Sequence, residues 1–228
     1  MDYASLTAPK GTAGSIANWI NYSEAILPLA DILLDAQALL ISGGVAGAQG
    51  AVNPLRVNQM QKTTALAIAL GAGSVAQPSD YLAPIILQNL YGKAIRFKDT
   101  QTVLGRQTFD MNGVLQTATF PNAYAASGAN FIFDFGPNAA ISLNLTYYAA
   151  PPFLSPTQNT NLLTTNYPHL LRAACLTLAA DYLNDDDKFQ RNVAKLAAML
   201  NGVNVTDDLD LLGMQSDRTD NLGGSYGW

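Results

Sequence analysis

Apolar positions near the start of the chain recur at helical spacing. Ile16, Trp19 and Ile20 share one face of a helix predicted in SIANWINY (15–22). A second helix is predicted beyond it, with Pro28 in its first turn and Ile32, Leu33, Ala36, Leu39 and Leu40 along one side. The run GGVAGAQG from Gly43 ends that helix and predicts a mobile loop. From Thr63 the period changes. Leu66, Ile68 and Leu70 alternate with alanines, which predicts a strand. Further on, Ile85, Ile86, Leu87 and Leu90 precede a YGKA turn and the strand-like AIRF. FIFDF (131–135) then leads through GPNA into ISLNLTYY. In that last strand Ile141, Leu143, Leu145 and Tyr147 share one face, and Ser142, Asn144, Thr146 and Tyr148 the other. These strands predict an antiparallel meander.

The pattern then returns to helix. Leu171, Ala174, Cys175, Leu178 and Tyr182 form a stripe, with Thr165 or Asn166 as cap and Pro168 in the first turn. After NDDD, a second stripe of Phe189, Val193, Leu196 and Leu200 is closed by Gly202. So short a connection predicts an antiparallel helical hairpin. The fold class expected is α+β: a mainly α-helical core with an antiparallel β-rich insertion and an extended C-terminal arm. Its parts are a single domain over 1–202, with helical core 15–60 and 164–202 and insertion 61–150, followed by the arm 203–228.

Composition narrows what such a fold is for. Only 13% of residues are charged, roughly half the usual share of about 25%. The uncharged surface needs a destination, either a membrane or other subunits. The most apolar helical stretch, 27–41, carries Asp31 and Asp35 and is shorter than the roughly 20 residues a span requires. The opening MDYASLTAPKGTAG has no basic start followed by an apolar run, so no secretory signal is expected. Burial against protein partners is the better reading. Net charge of −5, from 12 basic and 17 acidic residues, argues against a clamp on nucleic acid. One cysteine, Cys175, excludes an internal disulfide framework. With one histidine besides, too few soft ligands remain for an ordinary zinc site.

The candidate chemistry is sparse. His169 has the titration range of a general base, but the sequence offers no GxSxG nucleophile and no recognisable triad. Asp185, Asp186 and Asp187 suit the positive end of a helix better than a calcium loop, whose spaced ligands and closing glutamate are missing. Asp207, Asp208 and Asp210 read as solvated. The glycines of APKGTAG and GGVAGAQG lack the phosphate-loop spacing. Trp19, Tyr147 and Tyr148 are not interleaved with basic residues, so packing is favoured over base stacking. No catalytic, cofactor-binding or metal-ligating residue is therefore expected. The segment 203–228 is too polar and Gly-rich for its own core, yet ends in Tyr226 and Trp228. Leu222, Tyr226 and Trp228 are the partner-binding residues expected there.

Several segments, taken in order, carry a resemblance. They are NWINYS, LPLADILLDAQALL, the LRV–Q–M segment of Leu55 to Met60, PSDYL, LTYYAAPPFLS, NLLTTNYPHLL and YLNDDDKF. Together they resemble the head-to-tail adaptor (connector) proteins of tailed bacteriophages, over most of residues 15–202. GGVAGAQGAVNP interrupts the junction before LRV, and Gln77 stands where an apolar residue is common. The resemblance implies a virion structural protein without enzymatic activity, placed in the neck and assembled in the host cytoplasm. It implies a ring, usually dodecameric, beneath the portal protein, extending the DNA channel and docking tail or nozzle proteins. Genomic DNA would pass through without specific binding, and no membrane is involved. A neck stopper or other head-completion protein is the nearest alternative. A small tail-associated hydrolase around His169 is the alternative from another class.

Overall fold

The computed structural model describes residues 1–20, 27–43, 52–111 and 113–220, with side chains described up to position 207. First come α1 (Tyr3–Leu6), α2 (Ile16–Ile20), α3 (Leu29–Ser42) and a single 3-10 turn (Asn58–Met60). Next are β1 (Gln61–Ile68), β2 (Ser74–Ala76), β3 (Tyr81–Gln88), β4 (Ala94–Phe97) and α4 (Thr100–Leu104). They are followed by β5 (Thr117–Ala118), β6 (Ala123–Ser127), β7 (Asn130–Phe133), β8 (Gly136–Pro137) and β9 (Ile141–Ala149). Last are α5 (Leu162–Asn166), α6 (Pro168–Tyr182) and α7 (Asp186–Asp220). The chain divides into a helical unit, Met1–Gln59 with Pro151–Trp228, and a sheet unit, Met60–Ala150.

In the helical unit α6 is the central element, packed against α2, α3, α5 and α7. Pro168 occupies its first turn, where a missing N–H costs nothing. Because neighbours approach from several sides, α6 buries a broad arc: Leu170, Leu171, Ala173, Ala174, Cys175, Thr177, Ala179 and Ala180. The stripe read from sequence was therefore too narrow and rotated. Leu178 is only half-buried and Tyr182 is 53% exposed. Buried Thr177 satisfies its hydroxyl by donating to the Ala173 carbonyl (2.9 Å). At the end of α6 Asn184 turns into the left-handed region (φ 54°). Asn184 N–H then donates to Asp181 O and Asp185 N–H to Ala180 O, the paired bonds that close a helix with a left-handed residue. The carboxylate of Asp185 next accepts the N–H of Lys188 and so starts α7.

Two irregular segments of this unit are pinned by polar side chains. Gln37, fully buried on α3, accepts from Leu154 N–H (2.8 Å) and from Asn161 Nδ2 (3.1 Å), while its own Nε2 donates to Leu33 O. Asn161 in turn caps α5, accepting from Leu163 and Thr164 N–H, with Thr164 Oγ1 accepting from Asn161 N–H. The proline-rich connector before α5 is thus held from inside. On α7, Asn204 Oδ1 accepts Arg56 N–H and its Nδ2 donates to Pro54 O, and Asp207 accepts Asn58 N–H. Arg56 also donates to Ile41 O at the end of α3. There Gly43 has φ 71°, and a Cβ would lie 2.6 Å from Val52 O, so both conformation and space demand glycine. The remainder of that predicted loop, 44–50, lies outside the described residues.

The sheet unit orders its seven main strands β1-β9-β3-β4-β6-β7-β2. All neighbours pair antiparallel except β4 and β6, which are parallel. A parallel pair needs a crossover, and α4 lies on that crossover, capped by Asp99 and packed against β6 and β7. The predicted meander is corrected on this point. The sheet is nearly closed, with β1 and β2 at its two ends close to each other. Ten buried side chains form its core, including Leu66, Leu87, Leu143, Leu145, Tyr124, Phe131, Phe133 and Tyr147. Phe131 meets Tyr81 and Tyr124 edge-on at 5.0 and 5.7 Å between ring centroids.

These observations correct the expected fold class. The chain is mixed α+β with only three longer helices, α3, α6 and α7, beside a large sheet. The sheet has a core of its own, so a mainly helical core carrying an insertion does not describe it. Residues 203–220 are not extended either. Gly202 sits inside α7, which continues to Asp220. Interior glycine costs a helix only about 1 kcal/mol, and α7 makes its bonds to Pro54, Arg56 and Asn58 just beyond it.

Candidate functional site

His169 lies in the first turn of α6, beside the ring of Tyr167 (centroids 6.4 Å apart). The two line a cleft of about 440 Å³ with Gln59, Met199, Thr206 and Asp207. The Thr206 hydroxyl and the Asp207 carboxylate of this cleft are engaged in holding backbone. Thr206 Oγ1 donates to Gly202 O, and Asp207 accepts Asn58 N–H at 2.7 Å. Asn166 Nδ2 donates to Gln59 at the cleft's rim. Among the described residues no hydrogen bond joins His169 to a carboxylate or hydroxyl.

The remaining sequence candidates are placed as follows. Asp185 is paired with Lys188, while Asp186 and Asp187 are exposed in the first turn of α7. Among the described residues no group of three or more His, Cys, Asp or Glu side chains converges on one point. Asp208 and Asp210 belong to α7, beyond the described side chains. Cys175 is buried, and desolvation pushes its thiol up to about 12, so it is held as a neutral apolar group. Trp19 is half-buried and Tyr147 buried, its hydroxyl donating to Asp80 (2.7 Å). Leu222, Tyr226 and Trp228 lie outside the described residues. No helix among the described residues is long and apolar enough to cross a membrane.

A second cleft, absent from the sequence reading, lies in the sheet unit. It measures about 470 Å³ and is lined by Lys93, Arg96 and Arg106 together with Asn89, Phe120 and Asn122. All three cations are exposed, and no carboxylate lines the cleft. The ion pairs of the described residues are Lys62–Asp80 and Lys188–Asp185, so none of the three is paired with a described carboxylate. Tyr91, 83% exposed, packs edge-on against Phe120 (5.8 Å). Exposed Leu90, Phe97, Phe109 and Val114 belong to the same unit. The signal that was available is KAIRFK (93–98), which holds three cations in six residues of a net-acidic chain. Arg106 joins them only through the turn after α4, which the apolar pattern did not reveal.

The described residues thus present helices tied to irregular segments in the helical unit, and exposed aromatic side chains beside a cleft of three cations in the sheet unit. No curated protein matches the chain in sequence. The SU10 adaptor protein family matches residues 1–222. That match spans both the helical and the sheet unit, and the chain therefore belongs to the SU10 adaptor protein family, one of phage adaptor proteins.

Proposed function

We propose that this chain is the head-to-tail adaptor in the neck of a tailed phage virion. Copies assemble side by side into a closed ring, expected to be dodecameric, beneath the portal protein. The ring extends the DNA channel and gives tail or nozzle proteins a platform to dock on. The observation that carries the reading is the family match over residues 1–222. Surface chemistry supports it. With 13% charged residues and exposed Tyr91, Phe97 and Phe109 in the sheet unit, the chain suits flanks that bury against protein. A net charge of −5 per copy suits a conduit that lets DNA slide through. Leu222, Tyr226 and Trp228, which lie beyond α7 in the sequence, are contacts to the portal or to a neighbouring copy.

The test is to mix purified full-length chain with purified portal, image the complex in projection and weigh intact necks. Rings coaxial with the portal and many copies per neck are expected; one or two copies per neck would refute the reading. Deleting 221–228 separates the C-terminal contacts from the rest. Loss of portal binding or ring closure is expected, and undiminished binding would assign docking to the helical and sheet units alone.

A further inference from the structure

Charge is divided unequally between the two units. The sheet unit holds five basic and four acidic residues, the helical unit seven basic and thirteen acidic. On the first, the cleft of Lys93, Arg96 and Arg106 concentrates three cations that have no ion pair among the described residues. The turn between α6 and α7 does the opposite on the second. There Asp181, Asp186 and Asp187 are exposed around the exposed Tyr182, and none has an ion pair among the described residues. Asp186 and Asp187 face the favourable end of α7, but Asp181 sits in the last turn of α6, where the helix dipole disfavours a carboxylate. No basic side chain in that last turn relieves it.

We propose that the α6–α7 turn of one copy inserts into the basic cleft of the next, with Asp181, Asp186 and Asp187 meeting Lys93, Arg96 and Arg106, and Tyr182 lying against Phe120 and Tyr91. This inference rests on the ring reading above. Each copy gives one surface and receives the other, the heterologous contact that closes into a ring when the rotation allows. Shape agrees with charge. A helical turn is narrow and convex, and the cleft is a concavity of about 470 Å³ walled by Asn89, Phe120 and Asn122. Duplex DNA fits the same cations less well. Binding to DNA by charge grows with the number of phosphates neutralised, whereas this cleft offers only three cations in a hollow, on a chain of net charge −5.

The experiment uses full-length chains carrying single cysteines, Arg106→Cys in one and Asp186→Cys in the other, treated with a short bis-maleimide. The native Cys175 is buried and does not compete. The mixture should give covalent dimers at about ten times the yield of either chain alone, because only the mixed contact, still held by the charge pairs that remain, brings the two thiols within reach of the linker. Equal yields from one variant by itself would overturn the proposal. As a second arm, Arg96→Glu with Arg106→Glu should abolish assembly on the portal, and mixing with Asp186→Lys/Asp187→Arg chains should restore the mixed contact. If the Arg96→Glu/Arg106→Glu chain still builds rings, the contact is wrong and the ring reading stands. If that chain still builds rings but loses retention of a short duplex DNA, the cleft belongs to DNA. If wild type builds no ring on the portal while mixed dimers cross-link, the ring reading falls and the contact stands.

Discussion

The helical unit buries mainly aliphatic side chains and alanines around α6, whereas the sheet unit buries Tyr124, Tyr147, Phe131 and Phe133 between its strands. The contrast extends to polar groups. In the sheet unit the strand ladders pair backbone with backbone, and buried Asp134 adds acceptors for Asn122 and Ala123 N–H. In the helical unit the connectors have no ladder, and buried backbone groups must find partners elsewhere. Gln37, Asn204 and Asp207 supply them to segments far away in sequence, and Asn161 supplies one to Pro152 within the connector itself. The lesson is that the polar side chains around the connector are structural ties. One unit adds ring packing to its strand ladders, and the other adds side-chain ties to its aliphatic core.

The largest effect expected from that contrast is at Phe131, which touches both Tyr81 and Tyr124. Phe131→Ala should destabilise the sheet unit by about 3–5 kcal/mol, through lost burial and the cavity left behind. Hydrogen exchange in β6 and β7 during a urea titration reads it. Val193→Ala on α7 removes less buried volume and should cost the helical unit about 1–3 kcal/mol. If the two substitutions cost the same, the aromatic cluster is not the mainstay of the sheet unit.

Next in size is Gln37→Leu, which keeps the volume and removes the amide. Leu154 N–H then loses its acceptor inside the unit, at a cost of about 1–3 kcal/mol, while Asn161 Nδ2 keeps its bond to Pro152 O. Proteolysis of the connector at 151–161 should speed up while exchange in the sheet strands stays as in wild type. Unchanged proteolysis would mean that apolar burial of Leu154, not Gln37, holds the connector.

Legibility in the sequence divided along the same line. Long helices with a clear period were readable, as were β1 and β9, because residues such as Leu143, Leu145 and Tyr147 alternate cleanly. The β3–β4 hairpin was readable through its YGKA turn. β6 was missed because AYAAS is rich in alanine, which shows no preference for strand, and the parallel pairing to β4 hung on a five-residue helix. The reach of α7 was missed because Gly202 was read as a stop, although Asn204 and Asp207 in the next turns are tied to residues remote in sequence. Asp185 as a cap was legible because the reason is local. The basic cleft was not, since Arg106 meets Lys93 and Arg96 only in three dimensions.

The smallest predicted effect concerns Asp80, where the sheet unit depends on charge. Its carboxylate accepts from Lys62 Nζ and Tyr147 Oη, both at 2.7 Å. The Lys62 bond first, and the Tyr147 bond second, hold its pKa below the ordinary carboxylate range. A lowered folded-state pKa means that the ionised group stabilises the fold above the unfolded value near 3.8, and that this contribution fades as pH falls through the folded value. Asp80→Asn should therefore cost up to about 1 kcal/mol at neutral pH, because Lys62 is largely exposed. The loss should vanish in acid, where wild type is protonated too. Tyr147 makes the complementary test. Burial, and secondarily Asp80, pushes its phenol up to about 12, so its contribution persists below pH 10 and is lost as pH rises through 12. Since burial is the larger cause, Asp80→Asn should retain most of this alkaline limb while flattening the acid one. Urea midpoints measured from about pH 2.5 to 11 decide it: an unchanged acid limb would mean that Asp80 contributes position rather than charge to the sheet.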